Sequence, residues 1–187
     1  RMLLQGARDV AGNDPDRARD MAMMAAAAAT FGADSGIDID PVEFVGDLGQ
    51  ATSPRVRCFR LLLIGFAAVR HGQLTEAAAA FRQAFRECDP AGDSDLLSNL
   101  GIAAMHLGED AVLLDRYGRL VAQARESGAL VLVLYALTRR ATSEISTGEW
   151  AAAATGSAEA LDLARGTGQA ALASLPLAWL TLLADLG

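Results

Sequence analysis

Only two histidines are present, His71 and His106, and they are the first residues to consider as acid–base groups or metal ligands. They stand one and two residues before Gly72 and Gly108, so they occupy equivalent places in successive segments. Catalysis or metal binding needs partners at a defined spacing, and neither histidine has them. We interpret both as residues near helix C-termini, where a partly positive ring is favourable. We predict no catalytic, cofactor-binding or metal-ligating residue and no enzymatic activity.

The two cysteines, Cys58 and Cys88, each fall on or beside a row of apolar residues at helical spacing. A disulfide framework in a small secreted domain uses more cysteines, and a large helical chain does not require one. We therefore interpret both as small buried hydrophobic residues, in preference to reactive thiols.

Three arginines, Arg55, Arg57 and Arg60, cluster at the start of a predicted helix. Guanidinium groups in such a cluster can hold an anionic ligand or contact a partner, or they can reach nearby acids. We keep both interpretations and name these residues as a tentative anion or partner contact.

Acidic residues form two groups, each of which is better explained by helix capping than by calcium binding. The calcium-loop pattern requires a central Gly and a terminal Glu that neither group provides. Elsewhere, no Gly-x-Ser-x-Gly elbow or phosphate-binding loop is found. The two groups are Asp38, Asp40 and Glu43, and Asp89, Asp93 and Asp95.

The elements that would position these residues are helices, because apolar residues recur in steps of three and four. Asp14-Pro15 is a good helix start, since Asp14 can cap the exposed amides. No segment alternates with period two, so we predict an all-α chain without strands. Pro176 should kink or break the last helix. Trp150→Ala should cost about 3–5 kcal/mol if the ring is buried between helix pairs.

Glycines separate the helices at a recurring interval. Gly72, Gly108 and Gly148 lie 36 and 40 residues apart, and each is followed within two residues by an acid or by the start of a helix. A weaker form of the same pattern recurs at Gly128 and Gly168. The interval predicts an α-solenoid of antiparallel, tetratricopeptide-like helix pairs. We expect residues 1–53 to form an N-terminal helical segment with an irregular loop over 33–53, and residues 54–187 to form the repeats of one continuous domain.

Charge and hydropathy narrow the classes of partner. The 187 residues carry a net charge of −7, and all 16 basic residues are Arg and scattered. Direct contact with nucleic acid by this segment is therefore not expected. The longest apolar stretch, 170–184, is too short for a membrane span, and no signal peptide opens the chain. We predict a cytoplasmic protein without membrane contact, and a fragment of a longer one.

Several phrases carry a resemblance to a known family. GQLTEAAAAF at 72–81, AQARESGAL at 122–130, STGEWAAA at 146–153 and DPDRAR at 14–19 resemble the helical region of large ATP-dependent LuxR-family transcriptional regulators. In that family the helical repeats lie between an ATPase module and a helix-turn-helix domain. The resemblance implies a sensing and protein-interaction module, with ATP a cofactor of the parent protein and none bound here. Its protein or small-molecule effector would dock on the concave face and shift the parent between states.

Two other interpretations stay open. A free-standing tetratricopeptide-like adaptor would use the same helices to mediate protein–protein interaction. A helical enzyme domain would need a pocket that joins a histidine to carboxylates. The apolar last stripe also leaves pairing with a second copy, a homodimer, as an expectation.

Overall fold

The computed structural model describes residues 2–29, 53–90 and 92–186, and within them the chain is helical with no strand. The all-α prediction is confirmed. The predicted loop over 33–53 and the Asp40-Pro41 start lie outside the described residues. The nine α-helices of the described part are α1 (Met2–Val10), α2 (Pro15–Ala29), α3 (Pro54–Arg70), α4 (Leu74–Glu87), α5 (Ser94–Leu107), α6 (Asp110–Glu126), α7 (Leu130–Ser146), α8 (Trp150–Gly166) and α9 (Ser174–Leu186), with a 3₁₀ helix at Ala170–Ala173 before the last.

Five helices end in the same glycine turn. After α7, for example, the Thr147 amide donates to the Ser143 carbonyl at 2.9 Å, and the Glu149 amide donates to the Glu144 carbonyl at 2.7 Å. The glycine between them takes a positive φ, which a residue with a Cβ adopts only at a cost. The glycines with this role have φ values of 66° to 84° and are Gly72, Gly108, Gly128, Gly148 and Gly168.

Side chains cap three helix N-termini. Asp14 accepts from the Arg17 amide at 3.0 Å, and Ser53 accepts from the Val56 amide at 3.2 Å. Asp93 Oδ1 accepts from the amides of Asp95 and Leu96, each at 3.0 Å. The capping predicted for Asp14 and Asp93 is therefore present, and it satisfies amides that have no partner inside the helix.

Contacts divide the chain into two compact units, residues 1–103 and 104–187. In the first unit, α1 packs on α2, α2 packs on α3, and α3 packs on α4. The α1–α2 core is built from small side chains, because Ala at every third or fourth position lets the two helices approach closely. Its buried members are Leu4, Ala7, Ala18, Ala22 and Ala25.

Aromatic rings fill the α3–α4 contact. Phe66 and Phe81 are both fully buried, and their ring centroids lie 5.1 Å apart in an edge-on arrangement. Phe81 packs directly on the backbone of Gly65, so closely that a Cβ on that glycine would overlap the ring. The missing side chain of Gly65 thus sets how near α4 lies to α3.

A disulfide joins Cys58 of α3 to Cys88 at the end of α4, with the two Cα atoms 5.6 Å apart. Both residues are buried, as predicted, but their interpretation as separate apolar residues was wrong. The antiparallel helix pair brings together two residues that lie 30 apart in sequence. Disulfides are typical of oxidising compartments, so this bond counts against the predicted cytoplasmic location.

In the second unit each helix packs on its neighbour in sequence, from α6 to α9, and α9 also touches α7. Tyr117 of α6 is fully buried at the centre of the α6–α7 contact. Arg125 of α6 reaches across to Glu159 of α8 with bonds of 2.7 and 2.6 Å. Glu144 is buried in α7, where it accepts from Arg140 at 2.8 Å.

Two expectations about single residues change with the structure. Trp150 is 46% exposed, and its indole Nε1 donates to the Ile145 carbonyl at 3.3 Å. The condition for the 3–5 kcal/mol loss on Trp150→Ala, a ring buried between helix pairs, is therefore not met, because Trp150 begins α8 directly after the glycine turn and covers that turn. Pro176 lies in the first turn of α9, where its missing N–H needs no partner. The expected break falls just before it, where the 3₁₀ helix gives way to α9.

Among the helices described, none combines the length and the apolar character that crossing a lipid bilayer requires.

Candidate functional site

The structure places the predicted arginine cluster at the start of α3. Arg55 donates to Asp93 at 2.6 Å and to Asp20 at 2.9 Å, and Asp95 lies 3.6 Å from it. Its guanidinium also stacks over the Phe59 ring, 4.4 Å from the centroid. Three carboxylates already surround this one cation, so a further anion would meet an excess of negative charge. Arg55 is therefore best explained as a structural residue that ties α3 to α2 and to the start of α5.

The other two members of the cluster, Arg57 and Arg60, are exposed on α3. Their use as an anion or partner contact stays a prediction.

The neighbouring carboxylates change the pKa of Asp95. Burial raises the pKa of its carboxyl group, and the charges of Asp93 and Asp20 raise it further, while Arg55 lowers it. The pKa of Arg55 is itself raised: burial lowers it, but the bonds to Asp93 and Asp20 more than compensate. The cluster therefore disfavours the charged form of Asp95 and favours the charged form of Arg55.

The histidines stay apart from any cluster with metal-ligand character. His71 follows the last residue of α3, and His106 lies in the last turn of α5, where burial lowers its pKa. The described part of the chain holds no group of three His, Cys, Asp or Glu side chains arranged for a metal ion.

A concave surface that could take a ligand is a groove in the second unit, between α7 and the 3₁₀–α9 segment. Its more open part has a volume of about 510 Å³, which falls within the roughly 300–1,000 Å³ of small-molecule sites. A more enclosed part of about 110 Å³ adjoins it, and Tyr135 and Leu172 line both. We call the two parts together the α7–α9 groove. Its other lining residues are Ala129–Leu132, Leu134, Thr138, Arg139, Ala171, Ser174 and Leu175.

Tyr135 is held in place from two sides. Its ring packs edge-on against the buried Tyr117, with 6.1 Å between centroids, and Arg139 lies 5.3 Å from its centroid on the same helix. Burial raises the pKa of Tyr117 well above its ordinary value, and the hydrogen bond with Tyr135 adds to this effect. Tyr117 therefore stays neutral, and the aromatic–arginine pair at Tyr135 and Arg139 is positioned in advance of any ligand.

The rest of the groove is apolar. Leu130, Val131 and Leu172 are 40–48% exposed along its rim. Two of its hydroxyl groups are engaged within their own helices, since Thr138 donates to the Leu134 carbonyl at 2.8 Å and Ser174 donates to the Ala171 carbonyl at 3.1 Å. Of the residues that line the groove, all of them in the described part, Arg139 alone carries a charge.

Sequence reasoning did not single out Tyr135 or Arg139. The apolar row that the sequence predicts for this helix, Leu130, Leu134, Leu137, Ala141 and Ile145, is buried at Leu134, Leu137 and Ala141, whereas Leu130 is 48% exposed. The available signal was a tyrosine and an arginine four residues apart on the neighbouring face of an otherwise apolar helix. Which face would stay open could not be known without the packing of α9.

Comparison with models of protein families, with curated protein sequences and with solved structures gives no match for this chain.

Proposed function

We propose that this chain is a tetratricopeptide-like sensing and protein-interaction module of a bacterial LuxR-type transcriptional regulator, without enzymatic activity of its own. The α7–α9 groove carries the proposal, because it offers an apolar surface with one fixed cationic contact and no paired acid and base. The glycine turns that recur every 20 residues after α5 support the repeat interpretation. The phrases at 72–81, 122–130 and 146–153 support the link to the family.

In this function the module changes the activity of its parent by binding an effector more tightly in one state than in the other. ATP and DNA would bind other parts of the parent protein. The chain would work in the cytoplasm, where Cys58 and Cys88 would be kept as thiols and would form their disulfide only after exposure to an oxidising medium.

The test uses the full-length gene. We expect its product to place a nucleotide-binding segment before the 187 residues and a helix-turn-helix segment after them. A product without both segments would contradict the regulator, and an intact product that ends near Gly187 would support the free-standing adaptor in its place.

A second test addresses the groove in the full-length protein. Leu172→Asp puts a charge on the groove rim, where the side chain is already 40% exposed and the fold should tolerate it. We expect the variant to change the set of transcripts that the regulator controls. The matched control is Leu74→Asp, an equally drastic change at an exposed leucine that begins α4 in the other unit. Identical transcription in the two variants would remove the groove from the mechanism.

A further inference from the structure

We infer that the α7–α9 groove binds a small amphiphile with an apolar chain and a single anionic head group, and that Arg139 recognises the head. This inference deepens the proposed function, since it names the chemical class of the effector for the same groove. It also stands on its own as a statement about binding.

The apolar walls of the groove indicate that part of the ligand is apolar. Leu130, Val131 and Leu172 expose 40–48% of their surface on the rim, although apolar side chains of this size are usually buried. An aliphatic chain laid between them removes that surface from water, which favours binding in proportion to the apolar area buried.

The anionic part follows from charge complementarity. Arg139 is the one charged residue that lines the groove, in a protein whose net charge is −7. A guanidinium group forms strong, directional hydrogen bonds with carboxylates and related anions. Its packing on the Tyr135 ring holds it beside the apolar walls, so one ligand can contact both.

The size of the groove favours a small molecule over a folded partner. Twelve residues line its two parts, fewer than the roughly 20–30 residues that each side of a standard protein interface contributes. Their volumes of about 510 and 110 Å³ suit a single chain. The binding of a helical peptide is an outcome that the experiment below distinguishes.

The experiment uses the 187-residue chain and the neutral dye N-phenyl-1-naphthylamine, whose fluorescence rises in apolar surroundings. Decanoate below its critical micelle concentration and decanol below its solubility limit then compete with the dye for the groove; they share an aliphatic chain and differ in the head group. We expect decanoate to displace the dye at a concentration about tenfold lower than decanol, the scale of one charge-assisted contact. Equal displacement by the two would overturn the inference.

Variants assign the difference to one residue. Arg139→Gln should abolish the higher affinity for decanoate and leave the affinities for decanol and the dye within about twofold of the wild-type values. Arg139→Lys should keep part of the preference for decanoate. The control, Arg119→Gln, removes the same charge from an exposed site on α6 outside the groove. An equal loss in Arg119→Gln and Arg139→Gln would mean that the net charge acts, and not Arg139.

Leu172→Asp tests the apolar walls, and we expect weaker binding of the dye and of both competitors. Unchanged dye binding in this variant would show that the groove does not take the apolar chain.

If these assays fail while Leu172→Asp still alters transcription in the full-length protein, the groove binds a protein segment, and only the ligand class is wrong. If they succeed while the gene lacks the flanking segments, the site stands and the regulator does not.

Discussion

At the scale of single residues, two glycines inside helices have opposite roles. Glycine in a helix interior costs about 0.5–1 kcal/mol relative to alanine, so its presence needs a reason. At Gly65 the reason is the Phe81 ring, which occupies the place of a Cβ. At Gly118 of α6 the nearest neighbour of a Cβ is the Arg140 side chain at 3.9 Å, which is ordinary contact.

Gly65→Ala should therefore destabilise the protein by about 1–3 kcal/mol, because overpacking against the Phe81 ring outweighs the gain in helix propensity. Gly118→Ala, the matched control, should stabilise it by about 0.5–1 kcal/mol. Denaturant unfolding of both variants measures the two values. A stabilised Gly65→Ala would mean that Phe81 has room to move.

Asp95 gives a prediction about pH. Its pKa in the folded protein is raised, so the folded state holds the Asp95 proton more tightly than the unfolded chain does. The contribution of Asp95 to stability is therefore complete below the ordinary carboxyl pKa of about 3.9 and is lost as the pH rises through the folded-state pKa.

Asp95→Asn removes this dependence. We expect the melting temperature of the variant, relative to that of the wild-type protein, to rise between about pH 3.5 and pH 6. Thermal melts across that range measure the difference. A relative melting temperature that falls with pH would show that attraction to Arg55 outweighs the crowding by Asp93 and Asp20.

At the scale of elements, the α3–α4 pair is fastened at one end by two independent links. The disulfide fixes Cys88, the residue after α4, to the first half of α3, and Arg55 holds Asp93 a few residues further on. Both links fix the segment between α4 and α5 to the start of α3. The remainder of the pair is held by the rings of Phe66 and Phe81 and by apolar packing.

Reduction of the disulfide should lower the free energy of unfolding by about 3–4 kcal/mol, the loop-closure value for cysteines 30 residues apart. Urea unfolding with and without dithiothreitol measures the loss. The double variant Cys58→Ala/Cys88→Ala is the control, since the reductant should leave its stability unchanged. Two free thiols in the wild-type protein, denatured without reductant, would show that the bond does not form.

The same thiol measurement on protein taken directly from cells bears on location. A cytoplasmic regulator should have both thiols reduced. An intact disulfide would place the chain in an oxidising compartment and count against the proposed regulator.

At the scale of the whole molecule, each unit is built from helices that pack on their neighbours in sequence. Because these contacts join segments that are close in sequence, the apolar periodicity of the sequence predicts the helices well. Helix α9 has little cover, since Leu177, Leu182 and Leu186 are 40–48% exposed and only Pro176 is buried. These three leucines lie outside the α7–α9 groove, and an exposed apolar face of this kind is typical of a protein contact surface.

The sequence by itself determined the helices and their ends. A helix depends on neighbours three and four residues away and on the backbone freedom of a glycine, so Gly72, Gly108, Gly128, Gly148 and Gly168 could be recognised before the fold was known. The buried row of α6 (Leu113, Tyr117, Leu120 and Ala124) followed for the same reason, whereas the rows predicted for α8 and for the last helix leave Trp150, Leu172, Leu182 and Leu186 40–48% exposed.

Tertiary structure alone decided which residues meet across the helices. The partner of Cys58 lies 30 residues away, and the acids around Arg55 lie 35 to 40 residues away on either side, distances that periodicity cannot bridge. The exposure of Trp150 and the opening beside Tyr135 depend likewise on how the next helix is placed. Local hydrogen bonding sets the elements, whereas a binding surface is whatever apolar area the packing of those elements leaves uncovered.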